Sequence, residues 1–266
     1  MSGVARVRGI ELAYTDTGRG PAVVLLHGFP FDRSMWRAQV EKLSGAFRVI
    51  APDLRGHGGT TATREAATME EMAEDVAALL DELNVPRAVV GGLSMGGYIA
   101  LAFYRAHPSR VRALVLADTR AQADSEEARR AREENARRAL AEGMTPIADA
   151  MLPKLLSART REGAPEVVER VRGMMLGVSA EGAAAALRGM ALRRDQTDLL
   201  ASIDVPTLVV VGSEDAVTPP SEAEAMSERI RGSRLAVVEG AGHVSNVERP
   251  EEFGRALLEF LEDLPS

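Results

Sequence analysis

The chain has no cysteine, which excludes disulfides, thiolate catalysis and cysteine-held metals. Lysine is nearly missing, occurring only at Lys42 and Lys154, so arginine carries almost all the positive charge. Acids outnumber bases by 39 to 32, giving a formal charge of −7 and a pI near 5.3. There is thus no basic surplus to neutralise phosphates, and no nucleic-acid partner is expected. No apolar run approaches the roughly 18 to 20 residues of a membrane span, so no membrane partner is expected either. The opening Met1-Ser2-Gly3-Val4-Ala5-Arg6-Val7-Arg8 alternates like a strand and lacks the apolar stretch of a signal peptide, which makes the cytoplasm the expected location. Aromatics make up only 4% of the 266 residues, yet 45% of the chain is hydrophobic. That is enough for a substantial core, read as one large α/β domain with an insertion.

The most informative stretch runs Ala88-Val89-Val90-Gly91-Gly92-Leu93-Ser94-Met95-Gly96-Gly97-Tyr98-Ile99-Ala100-Leu101. A β-branched apolar run enters a Gly-x-Ser-x-Gly core and leaves in a helical pattern, the strand-turn-helix context this motif requires. Ser94 is therefore a candidate nucleophile, held on a sharp turn where a histidine can reach its weakly nucleophilic hydroxyl. Gly92 and Gly96 let the turn close. The helix that follows points its free N–H groups, notably that of Met95, at the place where an oxyanion would form.

Around this stretch the chain alternates strands and helices. Val4 to Val7 and Ile10 to Asp16 read as antiparallel strands. Ala22-Val23-Val24-Leu25-Leu26 is apolar throughout, as in a strand covered on both faces, and runs into His27-Gly28-Phe29-Pro30, where the Phe29 N–H is a second oxyanion-donor candidate. Ser34 to Leu43 reads as a helix and Arg48 to Ala51 as a strand. Asp53 and His57, in the Gly-rich turn after that strand, are read as structural. A helix spans Met69 to Leu83, and the elbow helix runs to about His107, read as its cap, before a strand at Val111 to Asp118.

From Thr119 to Ala201 there is no Phe, Tyr or Trp and no strand pattern, but much Ala, Arg, Glu and Met. Helices are expected at Ser125 to Ala141, Pro165 to Met175 and Ala180 to Leu192, forming a lid over residues 119–201 inserted into a core of residues 1–118 and 202–266. Its many arginines alternate with acids as on a solvated helix face. The sheet resumes at Pro206 to Gly212, followed by Ser213-Glu214-Asp215. A last strand, Arg234 to Glu239, leads to Gly240-Ala241-Gly242-His243, and Phe253 to Leu264 closes the chain as a helix.

Ser94, Asp215 and His243 each follow a strand, in the chain order nucleophile, acid, base. His243 would move the Ser94 proton, and Asp215 would fix the imidazole tautomer. Glu214 is a rival acid that position alone does not remove. The motifs Val-Val-Leu-Leu-His27-Gly-Phe-Pro, Pro52-Asp-Leu-Arg-Gly-His-Gly, Gly92-Leu-Ser-Met-Gly-Gly, Gly212-Ser-Glu-Asp215 and Gly242-His243 with Glu248-Arg-Pro250 together resemble α/β-hydrolase fold serine hydrolases over nearly the whole length. Within that family the chain is most similar to small carboxylesterases, 3-oxoadipate enol-lactonases and cofactor-free perhydrolases. The resemblance implies a mostly parallel central sheet flanked by helices, an inserted helical cap over the site, and no cofactor or metal.

The expected activity is cleavage of a small-molecule carboxylic ester through an acyl-enzyme on Ser94. A lactonase reading would ask Arg193 or Arg194 to hold a substrate carboxylate, and perhydrolysis rests only on Pro30 beside Phe29. A ligand receptor on the same fold is the non-enzymatic alternative. Some of Met144, Met151, Met174, Met175 and Met190 are expected to shape an acyl pocket of modest size.

Overall fold

The structure is a computed structural model describing residues 2–63 and 65–265. Its strands are β1 (Ser2–Val7), β2 (Ile10–Thr17), β3 (Ala22–Leu26), β4 (Arg48–Pro52), β5 (Ala88–Leu93), β6 (Val111–Ala117), β7 (Thr207–Gly212) and β8 (Arg234–Val238). They form one eight-stranded sheet in the order β1-β2-β4-β3-β5-β6-β7-β8. The pairings of β2 with β1 and β4 are antiparallel, and every pairing from β4 to β8 is parallel. The chain steps from β3 out to β4 and then crosses back to place β5 on the other side of β3. This reversal opens a crevice at the carboxyl ends of β3 and β5, the usual place for a ligand in an open α/β sheet.

Strand residues alternate between two apolar layers, as the period of two requires. Val24, Leu26, Val90, Leu114, Leu116 and Val209 join one layer, while Val23, Leu25, Val89, Val115, Leu208 and Val210 join the other. On the second side pack α1 (Arg37–Leu43) and the closing helix Pro250–Glu262, through Leu43, Phe253 and Leu257. On the first lie α2 (Met69–Glu82) and α3 (Met95–Ala106), through Met72, Val76, Ile99 and Phe103.

Between β6 and β7 come α4 (Glu126–Glu142), α5 (Thr145–Leu155), α6 (Ala158–Gly163), α7 (Pro165–Leu176), α8 (Ala180–Ala191) and α9 (Thr197–Leu200), with no strand among the described residues. Ser125 caps α4 by accepting the Ala128 N–H at 3.2 Å, and Gly143 ends it at φ 77°. The sequence reading did not anticipate α5 or α6. Pro146 sits in the first turn of α5, where its missing N–H costs nothing, and Pro153 lies inside the helix two residues before its end, where it removes one late hydrogen bond. Helix α8 lies directly against the core: a Cβ on Gly182 would stand 1.8 Å from the Gly56 carbonyl oxygen, and the Ala67 N–H donates to the Ala185 carbonyl at 3.0 Å.

The chain ends with α10 (Pro220–Arg229), α11 (Ser245–Glu248) and α12 (Pro250–Glu262). Two expected boundaries move. The helix read from Ser34 begins as a 3-10 turn, Arg33–Trp36, because Asp32 caps it by accepting the Ser34 N–H at 2.7 Å. Helix α12 starts at Pro250 rather than Phe253, since proline at the first position has no N–H to leave unpaired. No helix among the described residues is long and apolar enough to cross a membrane.

Candidate active site

At the end of β5 the backbone turns abruptly. Ser94 takes φ 54° and ψ −112°, outside the comfortable regions for a side chain with a Cβ, and α3 begins at the next residue. The turn is tight enough that a Cβ on Gly92 would lie 2.1 Å from the Gly96 carbonyl, and one on Gly96 would lie 2.2 Å from the Leu26 carbonyl oxygen. Two anchors hold Ser94: its N–H donates to the Ala117 carbonyl at 2.9 Å, and its carbonyl accepts the Thr119 hydroxyl at 2.8 Å. From Gly91 to Ala100 every residue is buried except Ser94, which is half-buried and open to a substrate.

The loop after β3 abuts this turn, and a Cβ on Gly28 would stand 3.4 Å from the Ser94 Cβ. No hydrogen bond among the described residues uses the N–H of Phe29 or Met95. An N–H without a partner is what an oxyanion donor requires.

His243 Nε2 lies 2.9 Å from Ser94 Oγ, and its Nδ1 lies 2.8 Å from Asp215 Oδ2. Asp215 leaves the end of β7 in a turn that aims three donors at its carboxylate. The N–H groups of Val217 and Thr218 reach Oδ1 at 2.8 and 2.9 Å, and the Thr218 hydroxyl reaches Oδ2 at 2.7 Å beside the imidazole. Burial pushes the Asp215 carboxyl up, but the facing imidazole and the Thr218 donors outweigh it and hold the group below the usual carboxylate range. Glu214, the rival acid, is exposed, and its N–H donates to the Ala241 carbonyl at 2.8 Å.

The other histidines are tied into structure. His27 Nδ1 bonds the Gly28 carbonyl at 2.9 Å and its Nε2 accepts the Leu54 N–H at 2.9 Å, which fixes the tautomer with the proton on Nδ1. His57 Nδ1 bonds the Arg55 carbonyl at 3.0 Å. Burial foremost lowers both, His27 to about 4 and His57 to about 3, so both are neutral at neutral pH. Asp53 caps its turn by accepting the N–H groups of Arg33 and Gly59, and pairs with the Arg33 guanidinium. His107 ends α3 and bonds Glu74 at 2.8 Å.

Arg193 is not available as an anion holder. It is buried, pairs with Asp124 at 2.6 Å, donates to the Gln122 carbonyl and lies 4.3 Å over the Tyr98 ring. Arg194 remains exposed. Met144, Met174, Met175 and Met190 are buried in the two apolar layers, and the partly buried Met151 packs against both.

Sequence reading missed Thr218, Asp118 and Ser245, and quoted Glu248 only as part of the Glu248-Arg-Pro250 motif without a contact. Asp118 ends β6 at φ 43°, accepts the Gly212 N–H at 2.8 Å and takes the Ser245 hydroxyl on its other oxygen. Glu248 accepts the Gly242 N–H at 2.7 Å. Thr218 carried a usable signal, since an aspartate followed by threonine three residues on is a side-chain-capped turn. Asp118 and Ser245 join segments far apart in the chain and had none, and Glu248 stood in a quoted motif while its partner Ser157 lies 91 residues away.

A mostly parallel sheet that carries a serine elbow after its central strand, with an acid and a histidine after the next strands, defines the α/β-hydrolase class. A model of the alpha/beta hydrolase fold matches residues 21–250, and the chain belongs to that family. The chain is 46% identical to a thermophilic esterase from Thermogutta terrifontis, solved with malate bound, with a TM-score of 0.97 and all of both chains covered. It is 34% identical to the enol-lactonase from Burkholderia xenovorans, with a TM-score of 0.92 over 98% of this chain and 100% of that one. It is also 32% identical over 254 residues to 3-oxoadipate enol-lactonase 2 of Acinetobacter baylyi, covering 93% of this chain and 92% of the relative.

Proposed function

We propose that the protein hydrolyses small carboxylic esters through an acyl-enzyme on Ser94, with Asp215 and His243 completing the triad. The observation that carries this reading is the unbroken relay from Asp215 Oδ2 through His243 to the half-exposed Ser94 hydroxyl. Ser94 Oγ attacks the ester carbonyl while His243 Nε2 takes its proton. The N–H groups of Phe29 and Met95 hold the resulting oxyanion, and collapse expels the alcohol, which receives the proton from His243. Water then repeats the sequence on the acyl group and regenerates the serine. Asp215 keeps the imidazole in the tautomer that accepts at Nε2 and stabilises the imidazolium. The relatives named esterase and enol-lactonase support the reaction class.

Residues 119–201 form a cap in this reading, and its apolar methionines favour acyl groups of roughly four to eight carbons, the capacity of a cavity near the low end of the usual range. Opening a lactone uses the same steps and is the second reading, favoured by the enol-lactonase relatives. A panel of p-nitrophenyl esters of increasing chain length together with simple lactones decides between them. Ester turnover rising about fourfold per added carbon and then falling is expected. Turnover of lactones alone would establish the second reading, and a steady rise through twelve or more carbons would overturn the modest pocket.

A further inference from the structure

We infer that Glu248 is a positioning residue for His243: its carboxylate ties the residue before the histidine to Ser157 in the helical insertion, so that core and insertion together set the imidazole. This rests on the proposed role of His243. One oxygen of Glu248 accepts the Gly242 N–H at 2.7 Å. The other accepts the Ser157 N–H at 3.0 Å and the Ser157 hydroxyl at 2.7 Å. The carboxylate is buried, with only 6% of the residue exposed. No cation pairs with it among the described residues, so hydrogen bonds alone offset its lost hydration.

Beside this bridge the N–H of His243 itself donates to the Leu155 carbonyl at 2.9 Å, at the end of α5. The three segments meet so closely that a Cβ on Gly242 would stand 2.8 Å from the Ser157 nitrogen, 2.9 Å from the Leu155 oxygen and 3.0 Å from the Glu248 carboxylate. Two residues past the histidine, Ser245 is held by Asp118 from the sheet side. The loop is thus fixed at its core end by Asp118 and at its insertion end by Glu248. Only a group with two acceptor oxygens serves donors on both sides of the bridge. A glutamine at this position would turn its amide N–H groups against either Gly242 or Ser157.

The test compares wild type with Glu248→Gln and Ser157→Ala, the latter removing only the hydroxyl from the bridge. Circular dichroism checks folding, and steady-state kinetics use a short-chain p-nitrophenyl ester. Proton NMR of the ligand-free proteins reads the downfield signal of the His243 Nδ1–H bonded to Asp215, a readout that needs no turnover. Glu248→Gln is expected to lower kcat about 10- to 100-fold with KM within about threefold, since small displacements of a catalytic group cost rate rather than binding. Its downfield signal should shift or broaden, and Ser157→Ala should change both in the same direction by less. A folded Glu248→Gln with an unchanged signal and kcat within about twofold would overturn the inference. If Glu248→Gln fails to fold, Ser157→Ala decides: a wild-type signal and wild-type kcat would overturn it. If wild type turns over neither esters nor lactones, the hydrolase reading fails, and the signal in the variants still decides whether Glu248 sets His243.

Discussion

Asp118 and Asp215 end neighbouring strands, both are buried, and each accepts hydrogen bonds from backbone and hydroxyl donors, yet their carboxyls are displaced in opposite directions. Burial, with the negative charge of Asp215 next, pushes Asp118 well above the usual range. Asp215 is buried too, but it faces an imidazole, and that partner with the Thr218 donors carries it the other way. A strand-end position therefore does not make a carboxylate the acid of a relay. The partner does: Asp118 braces Gly212 and Ser245, while Asp215 meets the one histidine that reaches Ser94.

Breaking the contrast at Asp215 should give the largest effect. Asp215→Asn keeps the shape but favours the imidazole tautomer that cannot accept from Ser94, so kcat should fall by roughly four orders of magnitude with the fold intact. Glu214→Gln, measured in the same assay, should stay within about twofold. Equal losses from the two variants would remove Asp215 from the relay.

The histidines extend the contrast to stability. Burial holds His27 near 4 and His57 near 3, whereas an unfolded histidine titrates near 6.5. Their folded values are lowered, so the stability they contribute is complete above pH 6.5 and is lost as pH falls toward 4 and then 3, because the unfolded chain takes up protons the folded chain refuses. Between pH 7 and pH 5 the pair should cost about 3 to 4 kcal/mol, read as a fall in the urea midpoint. In His57→Gln about half of that fall should disappear. A midpoint flat from pH 7 to 5 would mean that the two rings are not held neutral.

The smallest effect belongs to Asp118. An asparagine there can still accept the Gly212 N–H while its amide donates to the Ser245 oxygen, so kcat/KM should stay within about threefold. Because burial raises the Asp118 carboxyl, ionising it costs stability as pH rises above the unfolded carboxylate value and up to the folded one. Asp118→Asn should therefore melt at or above wild type at pH 8, with the difference vanishing near pH 4. A hundredfold loss of kcat would instead place Asp118 in the relay.

Much of this arrangement was legible in the sequence because it is local. Ala88 to Leu101 carries its strand, turn and helix in one window, and the apolar run Ala22 to Leu26 and the Gly242-His243 turn are equally compact. The sheet order was not legible, since the pairing of β3 with both β4 and β5 depends on contacts between segments far apart. The brace from Asp118 to Ser245 spans 127 residues and the one from Ser157 to Glu248 spans 91. No window contains such pairs, and an aspartate or glutamate after a strand reads alike whether it will meet a histidine, a serine or water. Helix α5 was hidden for the opposite reason, because its two prolines speak locally for a break, yet one sits in the first turn and the other only two residues from the end.

If the relay works as proposed, Ser94 becomes covalently acylated with His243 as its base. Mass spectrometry of the protein after reaction with a p-nitrophenyl phosphonate ester tests it most directly. A single adduct on the peptide containing Ser94 is predicted, absent from Ser94→Ala and formed at least about a thousandfold more slowly in His243→Ala. Modification at another residue, or ester turnover by Ser94→Ala at the wild-type rate, would contradict it.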